Sequence, residues 1–496
     1  MNATLRPSAD VYPLPQNVSN LVSTCGILAP REVEIVSLDA TGLRDLIANT
    51  VFTAVEVTVA FSKAAAVAHQ ATNCLTNFLP QEALDRAKWL DAEFTRTGQP
   101  VGPLHGVPVS IKDTVGLVGT DSNCGFVSWI GKNIATKDAT LVSILLKAGA
   151  VIIAKTTLPQ TVMHLETDSF LGPTVNPYNT TLTSGGSSGG EGALIASGAS
   201  VLGIGTDIGG SVRCPAAHCG IFGFKPTVGR LPRGGNKGLM VIQETILGTA
   251  GPMARSHRDL ELFISVILAA KPWELEIFCV RMPWRAEGIV WKGGKTPRIA
   301  VDKLSRAGLV VVECTPWKAK ESWELISSLY WTDGGARVKT ALEESGEPML
   351  PLTEWILSQN AKPRTGEEIM QLNVKRELFR QAWHEYFQST GVDVVLCPPS
   401  AGPAPVLGTS RYWTYTAFWN LVDAPSGIFP TGLSVGLEDV ADQPRDFLSE
   451  QDKEITEQYS PEKFIDAPLS LQVAGPRWAD ESVMSAMGII SDIVRA

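Results

Sequence analysis

The chain has 496 residues, of which 44% are hydrophobic and 19% charged, with 45 glycines and 32 prolines. This is ordinary globular composition, which excludes wholesale disorder, collagen and coiled coil. The net charge is −9 and no basic stripe occurs, so nucleic acid is not expected as a partner. The length allows a large core, built either as several domains or around one large sheet.

The N-terminal residues predict a cytoplasmic protein with a short leading arm. Neither a signal peptide nor an apolar run of about 18 residues is present, so no transmembrane segment is predicted. The eight cysteines follow no regular spacing, and we interpret them as reduced thiols. Residues 1–36 are punctuated by Pro and Ser and predict an extended arm, whereas 37–496 are interpreted as a single domain.

Helical and strand patterns then alternate along the chain. Apolar spacing over 37–96 predicts two or three helices, and 101–112 predict a strand that ends at Lys112. Residues 138–148 form an amphipathic pattern, and an apolar β-rich run, AVIIAKT, follows them. A helix followed by a buried strand is typical of an α/β protein.

The second half continues the same alternation. Helices are predicted at 257–270, 321–345, 367–388 and from Asp480 onwards, and strands at 392–397 and in PLSLQVAG. The polar stretch 437–466 predicts a surface loop that contains a helix. Residues 295–317 form a short segment in which helical and strand patterns are mixed.

The segment 184–229 is the most unusual part of the chain. It contains SGGSSGGEGALIASGASVLGIGTDIGGSVRCPAAHCGIFGFKPT, in which apolar runs alternate with Gly and Ser. Flexible Gly/Ser linkers lack such runs, so this region is predicted to be folded, with a backbone that turns tightly or approaches another group closely.

Three common kinds of motif are candidates for this segment. No nucleotide-binding glycine pattern is complete. Gly185 to Gly189 satisfy G-x-S-x-G around Ser187, so an esterase of the α/β-hydrolase type stays open, with His218, His257 or His384 as its base. The Cys214, His218 and Cys219 cluster lacks the second ligand pair that structural zinc requires, so no metal site is predicted.

Three separated residues account better for the segment: Lys112, Ser187 and Ser211. Serine is a poor nucleophile until a base takes its proton, and lysine can act as that base when burial keeps it neutral. The glycines before Ser211 leave backbone N–H groups free to converge on an oxyanion. These groups together would suffice for acyl transfer without histidine.

In these segments the sequence closely resembles the amidase signature family. GGSSGGEGALIASG and GTDIGGSVRCPAAHCGIFGFKPT are similar to its defining signature, and VPVSIKD is similar to the context of its catalytic lysine. Within the family, these segments are most similar to fungal acetamidase-type general amidases and fatty acid amide hydrolases. The similarity extends from about Val36 to the final helix.

The resemblance implies the fold and the mechanism. The expected fold is α/β, a large mixed sheet covered on both faces by helices. The expected reaction is hydrolysis of the C–N bond of a small-molecule carboxylic acid amide through an acyl-enzyme, with no cofactor or metal. Lys112 would be the general base, Ser187 the bridging serine after a cis Gly186–Ser187 bond, and Ser211 the nucleophile. The oxyanion hole would comprise the backbone of Ile208, Gly209, Gly210 and Ser211.

Other residues receive subsidiary interpretations. Asp207 and Arg213 are predicted to form an ion pair that holds the glycine loop. The predicted substrate-binding residues are Met163, Glu166, Ser188, Tyr412 and Trp419. The sequence leaves a homodimer open, and it does not define the acyl group or the amine.

Two departures from the family pattern bear on activity. Ser184 stands where the family usually has proline, which predicts a looser turn before Ser187. Between Arg298–Ala300 and Val310–Glu313, both predicted strands, roughly twenty residues are absent by comparison with ordinary loop-plus-helix lengths. A missing βα unit predicts uncovered apolar surface and lower stability, with Val280–Trp291 as a substitute cover. The missing unit also leaves open the alternative that the chain is a non-catalytic paralogue of an amidase.

Overall fold

The fold is organised around one mixed β-sheet. A computed structural model describes residues 13–239, 243–285, 301–441 and 446–496. Within these ranges the sheet has nine strands: β1 (Leu75–Phe78), β2 (Pro108–Lys112), β3 (Val151–Thr156), β4 (Leu202–Asp207), β5 (Phe222–Lys225), β6 (Thr249–Ala254), β7 (Val395–Cys397), β8 (Ser426–Ser434) and β9 (Pro468–Ala474).

The strands lie in the order β1-β3-β2-β4-β6-β5-β8-β9-β7. The pairs β3–β2 and β2–β4 are parallel, whereas the other neighbouring pairs are antiparallel. Parallel neighbours end at the same edge of a sheet. Lys112 at the end of β2 and Asp207 at the end of β4 therefore lie near each other, although 95 positions of sequence number separate them.

Helices pack on both faces of the sheet, which confirms the predicted α/β class. In the described ranges they are α1 (Leu21–Thr24), α2 (Pro30–Ser37), α3 (Ala40–Ala48), α4 (Ala54–Thr72), α5 (Pro80–Thr97), α6 (Thr140–Lys147), α7 (Gly189–Ala196), α8 (Arg213–His218), α9 (His257–Ala269), α10 (Val301–Arg306), α11 (Ala319–Tyr330), α12 (Ala336–Glu343), α13 (Pro351–Ser358), α14 (Gly366–Thr390), α15 (Thr414–Leu421), α16 (Glu450–Gln458), α17 (Pro461–Phe464) and α18 (Asp480–Arg495).

Local sequence explains where several of these helices begin. Thr53 and Thr365 each accept a hydrogen bond from the backbone N–H three residues later, and a glutamate there bonds back to the cap residue. These reciprocal bonds satisfy two N–H groups that a helix start leaves unpaired. Thr53 thereby caps the start of α4.

The N-terminal arm is not extended where it is described. Residues 13–36 contain α1 and most of α2, and Leu21, Ile35 and Val36 are buried in the main core. The prediction of an extended arm was wrong because Pro and Ser punctuation also marks short helices: Pro30 occupies the first position of α2, where a missing N–H has no cost.

The shortened region also differs from its prediction. Val310–Glu313 form no strand, and the predicted strand at Arg298–Ala300 lies outside the described residues, as does half of the predicted cover, Val280–Trp291. A short helix, α10, packs on α18 instead: Leu304 is fully buried, and Lys303 donates to the Val494 carbonyl at 2.9 Å. Part of the apolar surface that the sequence predicted to be exposed is therefore buried, since Leu309 packs against the main core.

Two clusters make up most of the interior. The main core joins β2, β3 and β4 to the helices of the first half, while a second, aromatic cluster includes Trp331, Trp413 and Trp419. Among the helices of the described ranges, none combines the length and the apolar character that crossing a bilayer requires. Of the predicted catalytic residues, Lys112 ends β2 and Ser211 follows the end of β4 by four residues.

Candidate active site

Lys112 ends a strand whose five residues are all buried. Its Nζ atom lies 2.6 Å from Ser187 Oγ and 3.0 Å from Thr206 Oγ1. Burial lowers the pKa of Lys112 to about 7, outweighing the opposite effect of nearby acidic groups, of which Asp207 is the strongest. A lysine with such a pKa is available in its neutral form near pH 7.

Ser187 follows a cis peptide bond to Gly186, as the resemblance implied. Gly186 is tightly enclosed, because a Cβ atom there would lie 2.5 Å from the Glu166 nitrogen and 2.6 Å from the His164 carbonyl oxygen. The Ser188 N–H donates to the Ser211 carbonyl at 3.1 Å. This bond joins the two serine segments directly.

The turn before Ser187 is anchored despite the absence of proline at position 184. The Ser184 hydroxyl donates to the Thr174 carbonyl at 2.9 Å, and the Ser184 carbonyl accepts from Cys219 Sγ at 3.4 Å. Ser184 is fully buried. These contacts hold the segment in place of the conformational restriction that proline would supply.

The glycine loop before Ser211 is held by hydrogen bonds to its carbonyls. Tyr330 donates to the Ile208 carbonyl at 3.0 Å, and Thr416 donates to the Gly209 carbonyl at 2.7 Å. Gly210 has a φ of +130°, and a Cβ there would lie 2.2 Å from Thr416 Oγ1, so only glycine fits. The N–H of each peptide points opposite to its carbonyl, away from these two side chains.

One predicted oxyanion donor is already occupied. The Gly210 N–H donates to Asp207 Oδ1 at 2.9 Å. In this structure the Gly210 N–H is therefore engaged by a carboxylate and is not available to an oxyanion.

Asp207 and Arg213 form the predicted ion pair. Both are fully buried, and Arg213 donates twice to the carboxylate, at 2.9 and 3.0 Å. Burial alone would raise the pKa of Asp207, but the charge and hydrogen bonds of Arg213 outweigh it and hold that pKa well below its usual value. Asn420 also donates to the carboxylate. The pair connects the glycine loop to α15.

A cavity brings the two serines together. Its volume is about 120 Å³, and the residues around it include Ser187, Ser211, Thr206 and Met163. Lys112 lies behind Ser187, fully buried. The structure thus brings together all three predicted catalytic residues.

Of the predicted substrate-binding residues, Met163 lines this cavity and four others do not. Glu166 accepts from the Gly408 N–H at 2.6 Å, and burial raises its pKa to about 7. Ser188 accepts from the Thr206 N–H, and Trp419 packs against Trp383 in the aromatic core. Tyr412 borders a separate cleft. A family resemblance or an aromatic cluster locates a segment, but it does not reveal the direction in which a side chain points.

Sequence reasoning missed Thr206, which contacts Lys112 and lines the cavity. It precedes Asp207 in GTDIGGS, within the motif already singled out. The signal would have been the pairing of β2 with β4, which places the ends of both strands at one edge, but that pairing is not evident from a single sequence.

The histidines do not support a nucleophile elbow. Ser187 contacts Lys112, whereas His257 bonds to the Met484 carbonyl and His384 is exposed on α14. Buried His218 lies beside Cys214, 3.6 Å from its sulfur. Burial lowers the pKa of His218 to about 4.

The cysteine and histidine cluster does not form a metal site. Cys214 Sγ donates to the Leu165 carbonyl, and Cys219 Sγ to the Ser184 carbonyl, so the two thiols have different partners. Throughout the part of the chain that the structure describes, no group of three His, Cys, Asp or Glu side chains is arranged to hold a metal ion.

Comparisons with known proteins agree with this geometry. A family model described as Amidase matches residues 56–284 and 296–484. The chain is 44% identical to "Putative amidase C550.07" of Schizosaccharomyces pombe, over 95% of this chain and 92% of that protein. It is 35% identical to an acetamidase of Aspergillus oryzae, with the same two coverages. A solved fatty acid amide hydrolase is 35% identical with a TM-score of 0.92, covering 97% of this chain and 89% of that one.

Proposed function

The chain belongs to the Amidase family and is an amide-hydrolysing enzyme, and we propose that it works through an acyl-enzyme on Ser211 with Ser187 and Lys112 as a proton relay. The observation that carries this proposal is the 2.6 Å contact between Lys112 Nζ and Ser187 Oγ, beside a cavity that both serines line. The products are a carboxylic acid and ammonia or an amine.

The proposed reaction begins with proton transfer. Neutral Lys112 takes a proton from Ser187 as Ser187 takes one from Ser211, and Ser211 Oγ attacks the amide carbon. Ser187 then gives a proton to the departing nitrogen and recovers one from protonated Lys112, which is neutral again. Water hydrolyses the acyl-enzyme by the same relay, which restores Ser211. The lowered pKa of Lys112 supports this direction of transfer.

Charge on the tetrahedral oxygen needs donors that are in place before the reaction. We assign this role first to the N–H groups of Ile208, Gly209 and Ser211. The hydrogen bond from Tyr330 to the Ile208 carbonyl supports the Gly209 donor, because that carbonyl and the Gly209 N–H share one peptide plane. Gly210 would contribute only after releasing Asp207.

We further propose that the substrate is a short or aromatic amide. The cavity that both serines line has a volume of about 120 Å³, which suits a small amide such as acetamide better than a long acyl chain. The acetamidase relative favours the same range. The fatty acid amide hydrolase named above represents the contrasting range.

Activity-based labelling tests the mechanism. A fluorophosphonate should label Ser211 in the wild-type protein and leave Ser211→Ala unlabelled, with peptide mass spectrometry identifying the site. A folded wild-type chain that is neither labelled nor able to turn over any amide would be the non-catalytic paralogue. Initial rates on acetamide, benzamide and a long-chain acyl amide then test the size proposal, which fails if the long-chain substrate has the highest kcat/KM.

A further inference from the structure

A buried carboxylic acid, Glu191, lies beside the proposed relay without belonging to it. It is the third residue of α7, which begins two residues after Ser187, and its side chain is fully buried. A buried ionisable group is costly unless it is paired or neutral. Its position in an otherwise apolar helix therefore calls for a specific role.

The contacts of Glu191 connect α7 to the strands around Lys112. Ser110 Oγ lies 2.5 Å from Oε2, within hydrogen-bond distance, and Thr156 donates to Oε1 at 2.9 Å. Ser110 precedes Lys112 by two residues on β2, so their side chains share one face of the sheet. Thr156 is the register partner of Lys112 on β3. The carboxyl group thus joins the helix that follows Ser187 to the strand that carries Lys112.

The sheet leaves space for this carboxyl group. Gly203 on β4 pairs with Ser110, and a Cβ atom at Gly203 would lie 2.1 Å from Glu191 Oε2. Any other residue there would displace the carboxyl group from its two hydroxyl partners. Three neighbouring strands therefore contribute to one site for a single acid.

We propose that Glu191 is a positioning residue which, as a neutral carboxylic acid, fixes Ser187 against Lys112 and leaves Lys112 unprotonated. This inference rests on the proposed relay. An ionised carboxylate would instead stabilise the ammonium form of Lys112 and so remove the base. A neutral acid can donate its proton from Oε2 to Ser110 Oγ, because the Ser110 hydroxyl can donate onward to Ser200 Oγ at 2.9 Å, and burial raises the pKa of Glu191 to about 8.

Other charged groups around the pair do not replace Glu191. Asp207 is compensated by Arg213, and burial raises the pKa of Asp113 and that of the Cys124 thiol. The titratable groups that interact electrostatically with Glu191 are Lys112 and the Cys74 thiol. The titratable groups that act on Lys112 are Asp207, Cys124, Glu191 and Asp113.

Two substitutions separate the neutral role from an ionised one. Glu191→Gln keeps the shape and can hydrogen-bond to both hydroxyls without ionising, so the labelling rate of Ser211 should stay within about threefold of wild type. The acid limb of the pH–rate profile should move by less than about 0.3 pH unit. Glu191→Leu removes both hydrogen bonds, and we expect at least a hundredfold loss in kcat with little change in KM.

Several outcomes would overturn the proposal. A shift of the acid limb by one pH unit or more in Glu191→Gln would mean that the acid is ionised in the working enzyme. Loss of activity in Glu191→Gln as large as in Glu191→Leu would mean the same. Wild-type rates in Glu191→Leu would remove the positioning role.

Partner variants keep the test decisive if Glu191→Leu does not fold. Ser110→Ala and Thr156→Val each remove one hydrogen bond and should each slow labelling about tenfold, and unchanged rates in both would also overturn the proposal. Asp259→Asn serves as the matched control, since Asp259 is a buried acid that bonds to the start of α3. It should leave the pH profile unmoved. Wild-type labelling of Ser211 tests the relay separately, so failure of the relay and failure of the Glu191 role give different results.

Discussion

Acid should silence the enzyme, because the proposed base works only after losing its proton. Lys112 has a pKa of about 7, lowered by burial from 10.5. Each pH unit below that value removes about nine-tenths of the remaining neutral lysine. The labelling rate of Ser211 should therefore fall about tenfold per pH unit, to about 1% of its plateau at pH 5.

The assay is the second-order rate of fluorophosphonate labelling between pH 5 and pH 9, with amide hydrolysis measured in parallel. Circular dichroism at each pH checks that the protein stays folded. Lys225→Met is the matched control: burial lowers the pKa of Lys225 to about 8, but its amine donates to the Pro226 carbonyl. A rate independent of pH between 5 and 8, or an acid limb that disappears in Lys225→Met, would refute the assignment of the base to Lys112.

Four further outcomes are expected. Ser211→Ala should abolish labelling and turnover with an unchanged melting temperature, and retained labelling would identify a different nucleophile. Ser187→Ala should lose about 10²–10⁴-fold in kcat yet leave a measurable rate, because the backbone donors still act; a wild-type rate would remove Ser187 from the relay. Asp207→Asn should destabilise the protein by about 3–5 kcal/mol in denaturant unfolding, since it leaves the Arg213 charge buried without its partner; an unchanged midpoint would contradict this. Lys112→Met should be inactive but more stable than the wild type. Between pH 7 and 10.5 the folded wild-type protein binds fewer protons than its unfolded chain, so its stability falls as the pH falls through that range. At pH 8 this loss, which the variant avoids, is about 3 kcal/mol. A lower melting temperature for Lys112→Met would contradict that reasoning.

The predicted loss of stability from the shortened 295–317 region stays a prediction. Its second predicted strand is absent, and α10 covers part of the surface that would otherwise be bare. This shows why a deletion inferred from spacing does not by itself predict exposed surface: a short helix can pack in place of a longer unit.

Sequence alone was sufficient for features that depend on local pattern. Strand β2 ending at Lys112, helix α6, strand β3 and the closing helix α18 all follow from the period of apolar residues. The three predicted catalytic residues were taken from short motifs. The Asp207–Arg213 pair was predicted in the same way, because its members lie only six positions apart in the sequence.

Tertiary structure alone decided which side chains meet across long stretches of chain. Thr206 reaches Lys112 from 94 positions away, and Tyr330 reaches the Ile208 carbonyl from 122. The strand order that places β2 between β3 and β4 gives Glu191 its two hydroxyl partners. No period or spacing encodes such pairings, because each depends on the packing of the whole sheet. For the same reason Trp419 lies in the aromatic core and not in the cavity.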